Sequence, residues 1–168
     1  RIFKRNSTAT NWTDVTETQL GDLNKVTHLK GTSTYYAVGV DGNLAKSIDD
    51  GDNWLIQTTG TSGEFKDVYF ASPDAGVAII ENAPNLGGLY KTINGGKTWT
   101  LIDGGTSVKN YNSLSPYYEF NSGGIKYDRV TANGDKGLVK RVTLDYSSAT
   151  TASIGAVGTP ITTSDKIT

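Results

Sequence analysis

Short apolar stretches, each four to seven residues long, alternate with clusters of Gly, Asn, Asp, Ser and Pro along most of this chain. Residues 23–29, 34–40, 43–48 and 54–58 read as four successive strands. The Asp41-Gly42 pair sits between the second and third as a tight hairpin turn. Residues 65–70, Phe-Lys-Asp-Val-Tyr-Phe, alternate as a half-buried strand should, and 77–80 form a short apolar run after the turn 72–76. A longer loop over 81–87 leads to strands at 88–93 and 99–102. Towards the amino end, 2–5 and 12–15 read as a pair of strands. Beyond 108, the strands 127–131 and 137–142 flank an expected turn at Asn133-Gly134. No stretch sustains a helical period.

The strands recur with a period. The triplets Ile2-Phe3-Lys4, Leu44-Ala45-Lys46, Leu89-Tyr90-Lys91 and Leu138-Val139-Lys140 place their lysines 42, 45 and 49 residues apart. Trp12, Trp54 and Trp99 fall 42 and 45 apart. Several short strands per unit of this length are the mark of propeller blades. Two of the units share one turn, Ser47-Ile48-Asp49-Asp50-Gly51-Asp52-Asn53-Trp54 and Thr92-Ile93-Asn94-Gly95-Gly96-Lys97-Thr98-Trp99. Both fit Ser/Thr-x-Asp/Asn-x-Gly-x-x-Trp. The short polar side chain in the third place can bond nearby backbone N–H groups, and glycine in the fifth tolerates positive φ. The tryptophan then supplies an apolar anchor for the next strand.

These segments resemble the Asp-box, or bacterial neuraminidase repeat, of β-propellers in sialidases, sortilin-type receptors and photosystem II stability/assembly factors. The wording of residues 67–99 is similar above all to the photosystem II factors. The resemblance implies an all-β fold of antiparallel four-stranded propeller blades of Asp-box type, about three and a half in number, within a larger propeller or assembly. On this reading 1–17 is half a blade, and 22–58, 64–103 and 108–157 are blades. Residues 1–157 form the propeller segment, and 158–168 are a tail or linker. Ser47, Asp49, Gly51, Trp54, Thr92, Asn94, Gly96 and Trp99 are then structural, because the boxes of the family lie at the blade periphery.

Composition adds little direction. Across 168 residues the net charge is -1, which gives no electrostatic reason to expect nucleic acid. No apolar run reaches the length of a membrane helix, so no membrane insertion is expected. Cysteine is absent, which excludes disulfides and thiolate chemistry. Methionine is absent even at position one, so a processed product or a piece of a longer protein is expected.

Candidate chemistry is sparse. The resemblance to sialidases would require an arginine triad, yet the chain has only Arg1, Arg5, Arg129 and Arg141, two of them beside box-like segments. His28 is the single histidine, and alignment of the repeats sets it opposite Phe70, as a packed residue between blades. Glu64, Asp67 and Glu81 could meet at a blade edge, although solvated faces explain them as well. Asp49, Asp50, Asp52 and Asn53 are oxygen-rich, but their spacing is not that of a calcium loop, and the turn accounts for Asp49. No catalytic residue, cofactor or metal is therefore assigned. The adjacent tyrosines Tyr35, Tyr36, Tyr117 and Tyr118 are candidate interface residues, one ring of each pair packing while the other faces outward. The function expected is that of a non-catalytic structural or recognition module. Two alternatives stand beside it: a photosystem II assembly-factor-like binding propeller and a fragment of a sialidase-like hydrolase. Protein partners or further blades at the strand edges are expected, with carbohydrate as a second ligand class. An extracellular or virion surface is the favoured location, and the thylakoid lumen or periplasm the alternative.

Overall fold

The computed structural model describes residues 1–16, 19–82, 87–104, 110–122 and 125–145. They form antiparallel meanders in four sheets. The first pairs β1 (Phe3–Lys4) with β2 (Thr13–Asp14). The second runs β3 (Leu23–His28), β4 (Tyr35–Gly39), β5 (Leu44–Ser47) and β6 (Leu55–Gln57), each strand paired with the next. The third repeats that order with β7 (Glu64–Phe70), β8 (Gly76–Glu81), β9 (Gly87–Thr92) and β10 (Thr100–Asp103). The fourth contains β11 (Tyr111–Ser122), β12 (Ile125–Gly134) and β13 (Val139–Asp145). The end of the expected blade 108–157 and the tail 158–168 lie outside the described residues. No described helix is long and apolar enough to cross a membrane.

The sheets stack face on face, so the middle strands are apolar on both sides. In β8, Ala78 and Ile80 join Tyr36, Val38 and Leu44 of the second sheet in one core. Val77 and Ile79 turn the other way, into a core with Val130, Ala132, Val142 and Leu144 of the fourth. A third core, Ile2, Ala37, Ala45 and Trp54, joins the second sheet to the first. A strand buried on both faces reads as a continuous apolar run, which is why 77–80 shows no alternation.

Strand β7 does not alternate simply, as its sequence suggested. Its register against β8 shifts between Phe65 and Asp67, making Lys66 an extra residue in a β-bulge. The bulge puts Phe65, Val68 and Phe70 together in the core shared with the second sheet. The same shift occurs in β3 between Leu23 and Lys25, and in β11 between Tyr111 and Ser113. All three bulges occupy the equivalent place in their sheets. Strand β11 has no counterpart among the strands expected from the sequence. Ser113, Ser115 and Pro116 break the apolar pattern, and a second bulge follows Pro116, where the missing ladder donor is tolerated.

Two further expectations are corrected. Asn133 and Gly134 lie inside β12, and the turn falls at Asp135–Gly137. There Lys136 (φ 52°) and Gly137 (φ 74°) take the left-handed conformation, as Asp41 (φ 55°) and Gly42 (φ 71°) do in the second sheet. Gly134 matches Gly39 instead. A Cβ on either would fall about 2 Å from a backbone oxygen, 2.1 Å from that of Asn110 or 1.9 Å from that of Asp22, so only glycine fits. His28 does occupy the register of Phe70, but it is exposed. Its ring lies against Tyr35 with centroids 4.6 Å apart, and Nε2 is 2.6 Å from the Thr32 carbonyl oxygen. The two-stranded sheet beside it covers Leu23 and Tyr35 and leaves Val26 and His28 on the surface.

The two anchoring tryptophans differ in one bond. The indole N–H of Trp54 donates to the Gly51 carbonyl at 3.0 Å, whereas Trp99 Nε1 is sealed from solvent with no partner among the described residues. Losing a made bond costs about 0.5–1.5 kcal/mol, while removing an unpaired buried donor relieves a desolvation cost. Trp54→Phe is therefore expected to lower stability more than Trp99→Phe in urea unfolding. The reverse order would mean that the indole bond contributes nothing. Trp54→Ala should cost about 3–5 kcal/mol, as for other buried aromatic truncations.

Candidate functional site

The two matched turns are built alike, and the hydroxyl in the first place is their hub. Ser47 Oγ accepts from the N–H of Gly51 at 2.9 Å and donates to Asp49 Oδ1 at 2.8 Å. Thr92 Oγ1 accepts from Gly96 N–H at 2.9 Å and lies 3.0 Å from Asn94 Oδ1, to which it donates. The third-place side chain then closes the loop. Asp49 Oδ1 accepts from Asn53 N–H, and Asn94 Oδ1 from Thr98 N–H, both at 3.0 Å. Gly51 and Gly96 have φ of 84° and 92°. Each turn is also tied to the sheet before it. Lys4 Nζ reaches Asp52 at 2.7 Å, and Gln57 Nε2 donates to the Gly95 carbonyl at 2.7 Å. Asp49 is thus occupied by turn donors, which is a structural use of its oxygens. Ile48 and Leu55 remain exposed beside it.

The tyrosines part company. Tyr36 is fully buried and stacks on Phe70 with centroids 3.8 Å apart, its hydroxyl donating to the Pro73 carbonyl at 3.2 Å. Burial pushes its pKa up to about 12. Tyr35 is half-buried against His28. Tyr117 is 52% exposed in the second bulge of β11, and Tyr118 follows it in the same strand. The arginines are divided between two sheets: Arg1 pairs with Asp14 at the first, whereas Arg129 and Arg141 both belong to the fourth.

A cleft of about 490 Å³ opens where β3, β7 and β11 begin, and the three bulged residues Asn24, Lys66 and Asn112 all line it. A bulge re-aims its extra side chain out of the ladder, so three sheets deliver one polar group each to a common place. Lys66 bridges Glu64 at 2.8 Å and Glu81 at 3.1 Å. Asn24 donates to Glu64 at 2.9 Å and to the Phe65 carbonyl at 2.8 Å. Asn112 donates to Asp135 at 2.7 Å, and Asn110 to the other oxygen of Asp135 at 3.3 Å. Glu64 and Glu81 do approach one another, through Lys66. Asp67 behaves otherwise than a solvated carboxylate: it is buried, accepts from Leu114 N–H at 2.8 Å and pairs with Lys25 at 3.2 Å. It fastens β7 to its neighbours on both sides. The bonds from Lys66 and then Asn24 hold the Glu64 carboxyl below its usual pKa, and the Glu64 partner raises that of Lys66 against the opposing effect of burial.

The structure of YCF48 from Cyanidioschyzon merolae superposes on 86% of this chain and 43% of its own length, with a TM-score of 0.54 and 13% identity. The fold is that of a β-propeller. At that identity the likeness is one of fold. A structure of YCF48 bound to D1 peptide covers 86% of this chain and 57% of its own, at a TM-score of 0.44 and 11% identity. The chain therefore spans about half the length of the propellers it resembles. No protein-family model matches it, nor does any curated protein.

The turn chemistry makes a pH dependence. Bonds from the Asn53 side chain and backbone, with that of Ser47, hold the Asp49 carboxyl down at about 2. A carboxyl whose pKa is lowered by folding stabilises the fold above its unfolded value near 3.8, and that contribution is lost as pH falls towards 2. Asp49→Asn copies the second turn, where Asn94 does the same work without a charge. The variant should show a smaller fall in melting temperature between pH 5 and pH 2, roughly the window set by these two values. An identical fall in both proteins would show that Asp49 is not the titrating group.

Proposed function

We propose that this chain is a non-catalytic recognition and scaffold segment of an Asp-box-type β-propeller, and that it binds a polypeptide partner at the cleft where the three inner strands bulge. The observation that carries this reading is the convergence of Asn24, Lys66 and Asn112, one from each of three sheets, at equivalent bulges. An irregularity repeated in register carries polar groups to one opening, and bulges are enriched beside functional sites. The amide oxygens of Asn24 and Asn112 can accept from the N–H groups of an extended peptide. A photosystem II assembly-factor-like role is a particular case of this reading.

Acid–base chemistry fits the cleft poorly. A general acid or base works best with a pKa near the operating pH. The Glu64–Lys66 contact moves both groups away from neutrality, the carboxyl down and the ammonium up. The purified chain is accordingly expected to leave sialosides and aryl glycosides uncleaved above background. Turnover that vanished in an Arg129→Ala variant would overturn the non-catalytic reading.

Binding is tested with an array of unbiased twelve-residue peptides, each reaching up to about 40 Å when extended. The wild-type chain should retain a subset of them. The Asn24→Ala/Asn112→Ala variant, shown folded by its thermal melt, should bind that subset at least about tenfold more weakly. Failure to retain any peptide, or retention unchanged by the double substitution, would remove the cleft as the recognition site.

A further inference from the structure

The hydrogen-bonding inventory of the cleft is lopsided. Both amide hydrogens of Asn24 are spent, on Glu64 and on the Phe65 carbonyl. The ammonium of Lys66 is divided between Glu64 and Glu81. Asn110 and Asn112 both donate to Asp135. The side chains thus turn their donors on one another, and what they present to a visitor is mainly acceptors: amide oxygens and the remaining carboxylate lone pairs. Asn110 Oδ1, which accepts no bond from the described residues, is sealed from solvent and so is not among them.

Charge points the same way. Among the described residues, three carboxylates, Glu64, Glu81 and Asp135, line the cleft against one ammonium, that of Lys66. A ligand rich in acceptors, such as a phosphate or a sugar acid, would meet like charge and few uncommitted donors. A compact metal ion is a poor match too. Among the described residues no three carboxylate or imidazole groups come close enough to hold one, and the acceptors here are spread over two sheets. Spread acceptors call for a planar group with several donors pointing in fixed directions, which is the guanidinium rather than the ammonium.

We propose that the cleft receives an arginine side chain of the partner polypeptide, its guanidinium bridging the Asp135–Asn110–Asn112 group on the fourth sheet and the Glu64–Lys66–Glu81 group on the third. This rests on the recognition reading above and narrows it to one residue type. The neutral amides fix the peptide, and the excess carboxylates choose the cation. Part of the affinity is electrostatic and is screened by salt, because Glu64 and Lys66 are each about a third exposed.

The test uses fluorescence polarisation of a labelled hexapeptide, Gly-Ser-Arg-Arg-Ser-Gly, and versions with lysine, citrulline or glutamate in place of both arginines. Citrulline keeps the shape of arginine and removes its charge. The wild-type chain should bind the arginine peptide at least about tenfold more tightly than the citrulline one, with lysine between them and glutamate weakest. That preference should shrink in the Glu81→Gln/Asp135→Asn variant and at high salt. Equal binding of the arginine and citrulline peptides would overturn the inference, as would a preference that survives the double substitution. Displacement of the arginine peptide by sialyllactose would also overturn it, in favour of a carbohydrate site. Because the citrulline comparison uses the unaltered protein, folding of the variant does not decide the outcome. The two readings fail separately: neutral peptides bound in an Asn24- and Asn112-dependent manner would leave recognition standing and remove arginine. Loss of all peptide binding in the array would remove both.

Discussion

One extra residue in each inner strand couples the core of this protein to its cleft. Without the bulge at Lys66, the period of two would turn Phe65 away from the face that carries Val68 and Phe70. With it, all three aromatic and aliphatic side chains enter the same core, and the displaced residue must leave the ladder. The equivalent step in β11 lets Tyr111 and Leu114 share a core while Asn112 is turned out. In β3 it sets Leu23 against the core shared with the first sheet while Asn24 is turned out. The polar row in the cleft is therefore a by-product of the packing, and neither could shift register without disturbing the other.

Stacked sheets need fastening as well as burial, and the polar contacts between them are few and well placed. Asp67 ties the third sheet to the second through Lys25 and to the fourth through the backbone of Leu114. Its burial suits this arrangement, since a buried carboxylate is tolerable when donors meet it on several sides. Tyr69 donates to buried Asp128 across the same interface, and Tyr36 reaches Pro73 across the neighbouring one. The two matched turns add a second set of ties at the periphery, through Lys4–Asp52 and Gln57–Gly95.

The ion pairs in the cleft have a different character. Lys66, Glu64 and Glu81 are all partly exposed, and pairs of this kind contribute little to stability. Lys66 alone sits on the bulge, and its two carboxylate partners flank it on β7 and β8. The exposed apolar groups near the turns, Ile48, Leu55, Ile93 and Leu101, recur at the outer strands of both complete sheets and lie away from this opening.

What was legible in the sequence was local. The Ser/Thr-x-Asp/Asn-x-Gly-x-x-Trp spacing specifies its own turn, because every bond in it joins residues no more than four apart. The 42- to 49-residue period and the apolar runs placed the strands of the two regular sheets to within a residue or two. Even there the third place drew attention, whereas the first-place hydroxyl turned out to be the hub. The tertiary structure decided the rest. A bulge exists only relative to a partner strand, so Phe-Lys-Asp-Val-Tyr-Phe read as plain alternation until β8 set its register. Gly134 looked like a turn glycine because Asn-Gly is a turn signal. Only the approach of the Asn110 carbonyl shows that it is a strand glycine required by close packing. His28 and Phe70 share a register, yet one is exposed and the other buried, since exposure depends on which sheet lies opposite. The cleft was least visible of all. Asn24, Lys66 and Asn112 are more than forty residues apart, and only the stacking of three sheets brings them to one opening.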